Sequence, residues 1–198
     1  MVESNQTEKG ITRRKFTFGV MIASMAGAFV SLFSLLKVIT PPKKAGYVST
    51  IKIGDQLVYA KGANAGSAVK ASSMNVGDWV LAYPKGKTSN PANIVQLIKL
   101  KESDFVAPTK VNLTDQGFVS YSAICTHLGC TVSWVKNTSN PDASVTECFC
   151  HNSIFDPSKG AKVIGGPAPI PLAQIGIKVQ GDSVFFTSGF TGPIGPQV

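Results

Sequence analysis

Every thiol and every imidazole of this chain falls in two short boxes. The first reads Cys125-Thr126-His127-Leu128-Gly129-Cys130, and the second, after an excursion of 17 residues, reads Cys148-Phe149-Cys150-His151-Asn152-Ser153. With only four cysteines and two histidines in 198 residues, that economy constrains the fold before anything else does. Cys125 and His127 stand two apart, and Cys148 and His151 stand three apart. Each box therefore offers one thiolate and one imidazole to a shared metal centre, and one cysteine per box, Cys130 and Cys150, is left over.

Three chemistries compete for this pattern. A Cys2His2 zinc site is the first, but such sites usually pair Cys with Cys and His with His along the chain, and zinc would leave two idle thiols beside a metal. A 2Fe–2S centre with two cysteines on one iron and two histidines on the other uses one pair from each box more naturally. The third arrangement is structural, with two disulfides and idle histidines.

C-T-H-L-G-C followed by C-F-C-H-N-S resembles the two cluster-binding boxes of the Rieske iron–sulfur proteins, specifically the respiratory type found in quinol–cytochrome c reductases and related cytochrome bc complexes. The resemblance spans roughly Trp79 to the C-terminus. It implies that Cys125, His127, Cys148 and His151 ligate a Rieske-type 2Fe–2S cluster and that Cys130 and Cys150 form a disulfide. It also implies that Leu128 shields the cluster and that the Ser153 hydroxyl bonds a bridging sulfide. Gly165-Gly166-Pro167-Ala168-Pro169 looks like the family's proline loop, which places Gly166 and Pro167 over the cluster. Three positions depart from the family pattern: Phe149 stands where Pro is usual, Asn152 where Gly is usual, and Phe155 where high-potential members carry Tyr. Asn tolerates positive φ better than most residues, so the backbone at 152 is expected to survive the change.

Charge and hydropathy organise the rest. The net charge of +8 raises nucleic acid as a partner until it is placed on the chain. Residues 1–46 hold seven Lys/Arg against two acids, and residues 47–198 hold twelve against nine. The excess belongs largely to the N-terminal appendage, and no basic patch is interleaved with aromatics, so nucleic-acid binding is excluded. Residues 1–15 read as a cytoplasmic segment ending in Arg13-Arg14-Lys15, which resembles a twin-arginine export signal and equally satisfies a positive-inside flank. The run 16–36 carries no charge over 21 residues; as a helix it would measure about 31 Å, close to the hydrocarbon thickness of a bilayer. We expect a transmembrane signal-anchor over 16–37, retained because no A-x-A-like cleavage site follows it. A linker over 38–46, carrying Pro41 and Pro42, comes next. The domain then lies on the outer side of the cell membrane, periplasmic or extracellular, where a disulfide persists.

Residues 47–198 read as all-β. Short β-prone runs are expected at 48–53, 56–60, 79–83, 93–101, 118–124, 131–135, 145–148, 175–179 and 183–187. They are separated by turn signals such as Gly54-Asp55 and Gly181-Asp182. A polar turn is expected at 137–143, and the Gly/Pro-rich tail from 189 either lies along the domain or frays. This spacing suggests a sandwich or barrel. The resemblance implies a Rieske-type β-sandwich base domain with a cluster-binding subdomain inserted at about 121–170.

The function implied by the resemblance is that of the iron–sulfur subunit of a quinol-oxidising oxidoreductase. Iron held by two neutral imidazoles rather than two more thiolates carries less negative charge and has a raised potential. Such a centre takes an electron, and through an imidazole a proton, from quinol. It would sit beside a cytochrome b-type membrane subunit and pass the electron to a c-type cytochrome or other acceptor. The exposed imidazole that meets quinol is expected to be His151, with His127 the other candidate. The alternative is the small Rieske subunit of an arsenite-oxidase-type molybdoenzyme. The anchor and the extra cysteine pair argue against a soluble ferredoxin.

Overall fold

The computed structural model describes residues 13–18, 20–22, 24, 46–137 and 144–197, and the chain divides into one unit over residues 1–44 and a second over 45–198. In the first, residues 13–18, 20–22 and 24 are helical and exposed, and the Thr17 hydroxyl donates back to the Arg13 carbonyl. Among the described residues no helix is long and apolar enough to cross a membrane. Most of the span expected at 16–37, nearly all of the linker at 38–46 and positions 138–143 of the polar turn lie outside the described residues.

Among the described residues the second unit is built on ten strands: β1 (Leu57–Tyr59), β2 (Trp79–Pro84), β3 (Val95–Lys99), β4 (Phe118–Ser122), β5 (Ser133–Val135), β6 (Val145–Cys148), β7 (Ser153–Asp156), β8 (Lys162–Gly165), β9 (Gln174–Gln180) and β10 (Ser183–Phe190). They form two sheets, one in the order β1-β2-β3-β4-β9-β10 and one in the order β5-β6-β7-β8. Every pairing is antiparallel. The four-stranded sheet lies wholly between β4 and β9 in sequence. The six-stranded sheet curls until its edges meet: Gln56 bridges Phe185, and Gly54 and Asp55 exchange backbone bonds with Phe186.

The period-two alternation of strand side chains explains how β3 and β4 serve two cores at once. On β3, Val95 and Leu97 join Leu57, Phe118, Ile177, Val184 and Phe186 inside the curled sheet. Ile98, with Val119 and Tyr121 from the opposite face of β4, packs toward the smaller sheet and meets Cys125, Trp134, Cys148 and Phe155. Each fully buried large side chain contributes about 1.5–3 kcal/mol of transfer free energy, so each face of this one pair of strands carries a stabilising core of its own.

The structure corrects the sequence in two places. Residues 48–53, expected as a strand, form none. The Asn93 amide takes the place of a ladder partner, accepting from the Ser49 hydroxyl and the Thr50 N–H and donating to the Thr50 hydroxyl. Conversely, β7 and β8 had no counterpart in the sequence reading. The second box is itself the loop of a hairpin, with Cys148 opposite Ser153, so the strand signal of 153–156 was overlaid by the metal-binding pattern. The tail lies along the domain, with β10 running to Phe190 and Ile194 buried.

Candidate metal centre

Each box is a turn whose geometry its own backbone dictates. The first leaves the end of β4 and is closed by the bridge between Ile124 and Thr131. Within it the Cys125 N–H donates to the Cys130 carbonyl at 2.8 Å and the Gly129 N–H to the Cys125 carbonyl at 3.0 Å. Gly129 takes φ +86°, a conformation that an L side chain resists. The second box turns from β6 into β7, and Asn152 takes φ +55°. The substitution of Asn for the family's Gly thus keeps a left-handed backbone, as Asn permits.

Cys130 and Cys150 are joined in a disulfide across 20 residues, which ties the two turns together. Cys125 and Cys148 are free and buried. The sulfurs of Cys130, Cys148 and Cys150 lie within 4.8 Å of one another, yet two of them are spent on each other and cannot serve as thiolates. That leaves Cys148 with Cys125, whose thiols are near enough to act on each other. Burial pushes the Cys125 thiol up. The His127 backbone N–H and the Ser153 hydroxyl bond it and pull the other way, while the proximity of Cys148 raises it further. The Cys125 thiol therefore resists ionisation unless a cation joins it.

The two histidines meet edge to face. The His127 and His151 rings stand 4.7 Å apart between centroids, at 89°. His151 is exposed and His127 half-buried. Among the described residues, His127 Nδ1 is one of two buried side-chain polar atoms without a hydrogen-bond partner, the other being Gln96 Nε2. An orphaned imidazole nitrogen in a box that also carries a buried free thiol fits a metal group with mixed sulfur and nitrogen ligation. It does not fit two disulfides with idle histidines, which would leave that nitrogen unsatisfied at a cost of about 1–3 kcal/mol.

A third loop covers the site. Ser153, fully buried, accepts from the Ala168 N–H at 3.1 Å. The Thr126 hydroxyl donates to the Ile170 carbonyl at 2.7 Å. Gly166, at φ +78°, lies so close to the second box that a Cβ there would overlap the Asn152 carbonyl oxygen. Pro167 and Leu128 are exposed, Leu128 at 57%, so both belong to the outer rim rather than to the buried ligand shell. Phe149 is exposed at 64%, whereas Phe155 is fully buried in the core that holds both free cysteines.

Three supports escaped the sequence reading. Thr126 anchors the covering loop from inside the first box. Tyr121, whose hydroxyl burial pushes above its ordinary range, donates to the Pro157 carbonyl at 2.8 Å and links β4 to the far end of β7. Gln96 on β3 accepts from the Thr146 hydroxyl on β6 at 3.0 Å. A Thr in a motif was visible as a residue, but nothing in one sequence tells which carbonyl it meets.

Residues 79–176 match the family model described as the Rieske [2Fe-2S] domain. A cytochrome b6-f complex iron-sulfur subunit from Synechococcus sp. (strain CC9605) is 31% identical over 92% of this chain and 88% of its own length. A cytochrome bc1 complex Rieske iron-sulfur subunit from Streptomyces lividans is 30% identical over 67% of this chain and 81% of that protein. A protein named as a Rieske subunit of a respiratory nitrate reductase, from Haloferax mediterranei, is 30% identical over 66% of this chain. The match spans 57% of the Haloferax protein's length.

Proposed function

Since the chain belongs to the Rieske [2Fe-2S] family and its cofactor is a Rieske 2Fe–2S cluster, we propose that it is the electron-transfer subunit of a quinol-oxidising, bc-type membrane complex. Its partners are a cytochrome b-type subunit, quinol, and a c-type cytochrome or equivalent acceptor. What supports the ligand assignment is that two turns joined by a disulfide carry two buried free thiols, Cys125 and Cys148, an orphaned His127 nitrogen and an exposed His151.

In this reading Cys125, His127, Cys148 and His151 hold the cluster, and residues of about 121–170 form the cluster-binding subdomain within a domain spanning 47–198. The bound cluster supplies one-electron redox chemistry at a potential raised by its two neutral imidazole ligands. The residues around it do the remaining work. His151, exposed at the rim, offers its outward nitrogen to a quinol hydroxyl and holds the proton that leaves with the electron. His127 is the second imidazole and shares that role to the extent that it is exposed. Leu128 and Pro167 form an apolar rim that excludes water from the contact. Ser153 accepts from the Ala168 N–H and keeps its hydrogen to donate to a sulfur of the centre. Arg13 and Arg14 direct export, and a helix over 16–37 anchors the domain on the outer face of the cell membrane.

The test has two arms. The reduced protein should give a Rieske-type EPR signal that is lost in His127→Ala and in His151→Ala, because each leaves an iron coordination position open. The intact protein should co-purify with a b-type cytochrome. An unchanged signal in His127→Ala would remove the ligand assignment. Co-purification with a large molybdopterin subunit instead would favour the molybdoenzyme alternative.

A further inference from the structure

The domain's entry point is pinned to the first metal-binding loop by one aromatic ring. Residues 48–53 make no strand, and the Asn93 amide holds Ser49 and Thr50 in place. Tyr47 stands just before that clamp, half-buried against the core that contains Ile124, Cys125 and Ile194. Two glycines make room for its ring. A Cβ on Gly129 would come within 2.5 Å of the Tyr47 hydroxyl oxygen and 3.3 Å of the ring carbon that bears it. A Cβ on Gly195 would come within 2.5 and 2.8 Å of two further ring carbons, and within 3.1 Å of Ile124. Both glycines also have positive φ, +86° and +67°, so each position excludes a side chain twice over. Pro196 lies beside the same spot over Gly129, at 3.5 Å from where its Cβ would be. The ring is therefore wedged between the first box and the C-terminal segment, which buried Ile194 fastens to the core.

We propose that Tyr47 is a positioning residue for the first metal-binding loop, holding Gly129, and with it the turn that carries His127 and Cys130, against the C-terminal segment. This rests on reading that loop as a ligand loop. Its consequence concerns coupling. The chain enters the domain two residues before Tyr47, so a displacement at residue 46 reaches the turn of Cys125–Cys130 through one ring contact. The sheets, held by their ladders and by Asn93, are insulated from it.

The experiment is hydrogen exchange on the full-length protein, following the peptide that contains 125–130, in which the Gly129 N–H bonds the Cys125 carbonyl. Tyr47→Ala should speed exchange of that peptide by about tenfold or more while β9 and β10 keep their protection, because the opening is local. Tyr47→Phe keeps the ring and should stay within about twofold of the parent. Val184→Ala, placed in the other core, controls for general loss of stability and should leave the 125–130 peptide no faster than its neighbours. In parallel, Tyr47→Ala should shift the EPR line shape of the reduced cluster and hasten its loss to a chelator, with Tyr47→Phe restoring both. Exchange of 125–130 in Tyr47→Ala that is no faster than in Val184→Ala overturns the proposal. A parent protein without a Rieske-type signal overturns the ligand reading instead, and the exchange arm still decides whether Tyr47 holds the turn.

Discussion

Ser153 shows how one side chain does two jobs because its hydrogen-bonding capacity is divided. Its oxygen accepts from the Ala168 N–H, and its hydrogen remains available to a sulfur of the centre. A bond to a ligand sulfur is stronger when the centre carries an extra electron, and only that difference moves a potential. Charge-assisted hydrogen bonds contribute about 1.5–3 kcal/mol in total. The differential part is smaller, so a shift of some tens of millivolts is the expected scale, at about 59 mV per tenfold for one electron. Ser153→Ala should lower the midpoint potential in a redox titration, and should also leave the Ala168 N–H without its partner. An unmoved potential would mean that the hydroxyl does not reach the ligand sulfur in the loaded protein. Gly166 makes a complementary prediction. Gly166→Ala combines a positive φ with a Cβ driven into the Asn152 carbonyl, neither of which a rotamer change can relieve. The covering loop must move, so cluster loss to a chelator should accelerate even though no ligand is touched; a parent-like rate would place that loop elsewhere.

At the scale of elements, the two boxes and the strands that feed them were legible because their signals are local. Six thiol and imidazole groups at fixed spacing, and alternating runs such as 118–122, need no tertiary knowledge. What was not legible depends on partners far along the chain. Residues 48–53 have β-prone composition, yet Asn93, some forty positions away, claims their polar groups before any strand can. The hairpin of β7 and β8 was hidden because Ser153 reads as a motif residue and also begins a strand. The tie between the sheets was equally invisible: Gln96 accepts from Thr146, while its own Nε2 is buried without a partner. That asymmetry predicts non-additive mutations. Gln96→Leu or Thr146→Val alone strands one buried polar group, at a cost of about 1–3 kcal/mol. The double substitution removes both groups and should cost clearly less than the sum of the singles. Chemical denaturation of the four proteins of this cycle measures the coupling, and strict additivity would mean that the two side chains do not depend on each other.

For the whole molecule, the division of apolar burial between two cores predicts what cluster removal does. In many small metal-binding domains the metal supplies the folding free energy, and chelators unfold them. Here the core inside the curled six-stranded sheet draws on Leu57, Val95, Leu97, Phe118, Ile177, Val184 and Phe186, and on no residue of either box. The second core is different, since Cys125 and Cys148 are part of it, packed with Phe155, Trp134 and Leu172. Losing the cluster leaves two buried thiols and the orphaned His127 nitrogen in that core only. The disulfide between Cys130 and Cys150 still closes the two turns and limits the entropy they regain. Chelation alone should therefore lower the melting temperature while the protein stays folded, with amide protection falling in 125–130 and 148–153 and holding in β3, β4, β9 and β10. Chelation with a thiol reductant removes the covalent tie as well. The four-stranded sheet should then open at a lower temperature than the six-stranded one, giving two separate thermal transitions. A single cooperative transition after both treatments, with β9 and β10 losing protection together with β6 and β7, would mean that the base sheet depends on the metal-binding sheet for its stability and that the two cores are one.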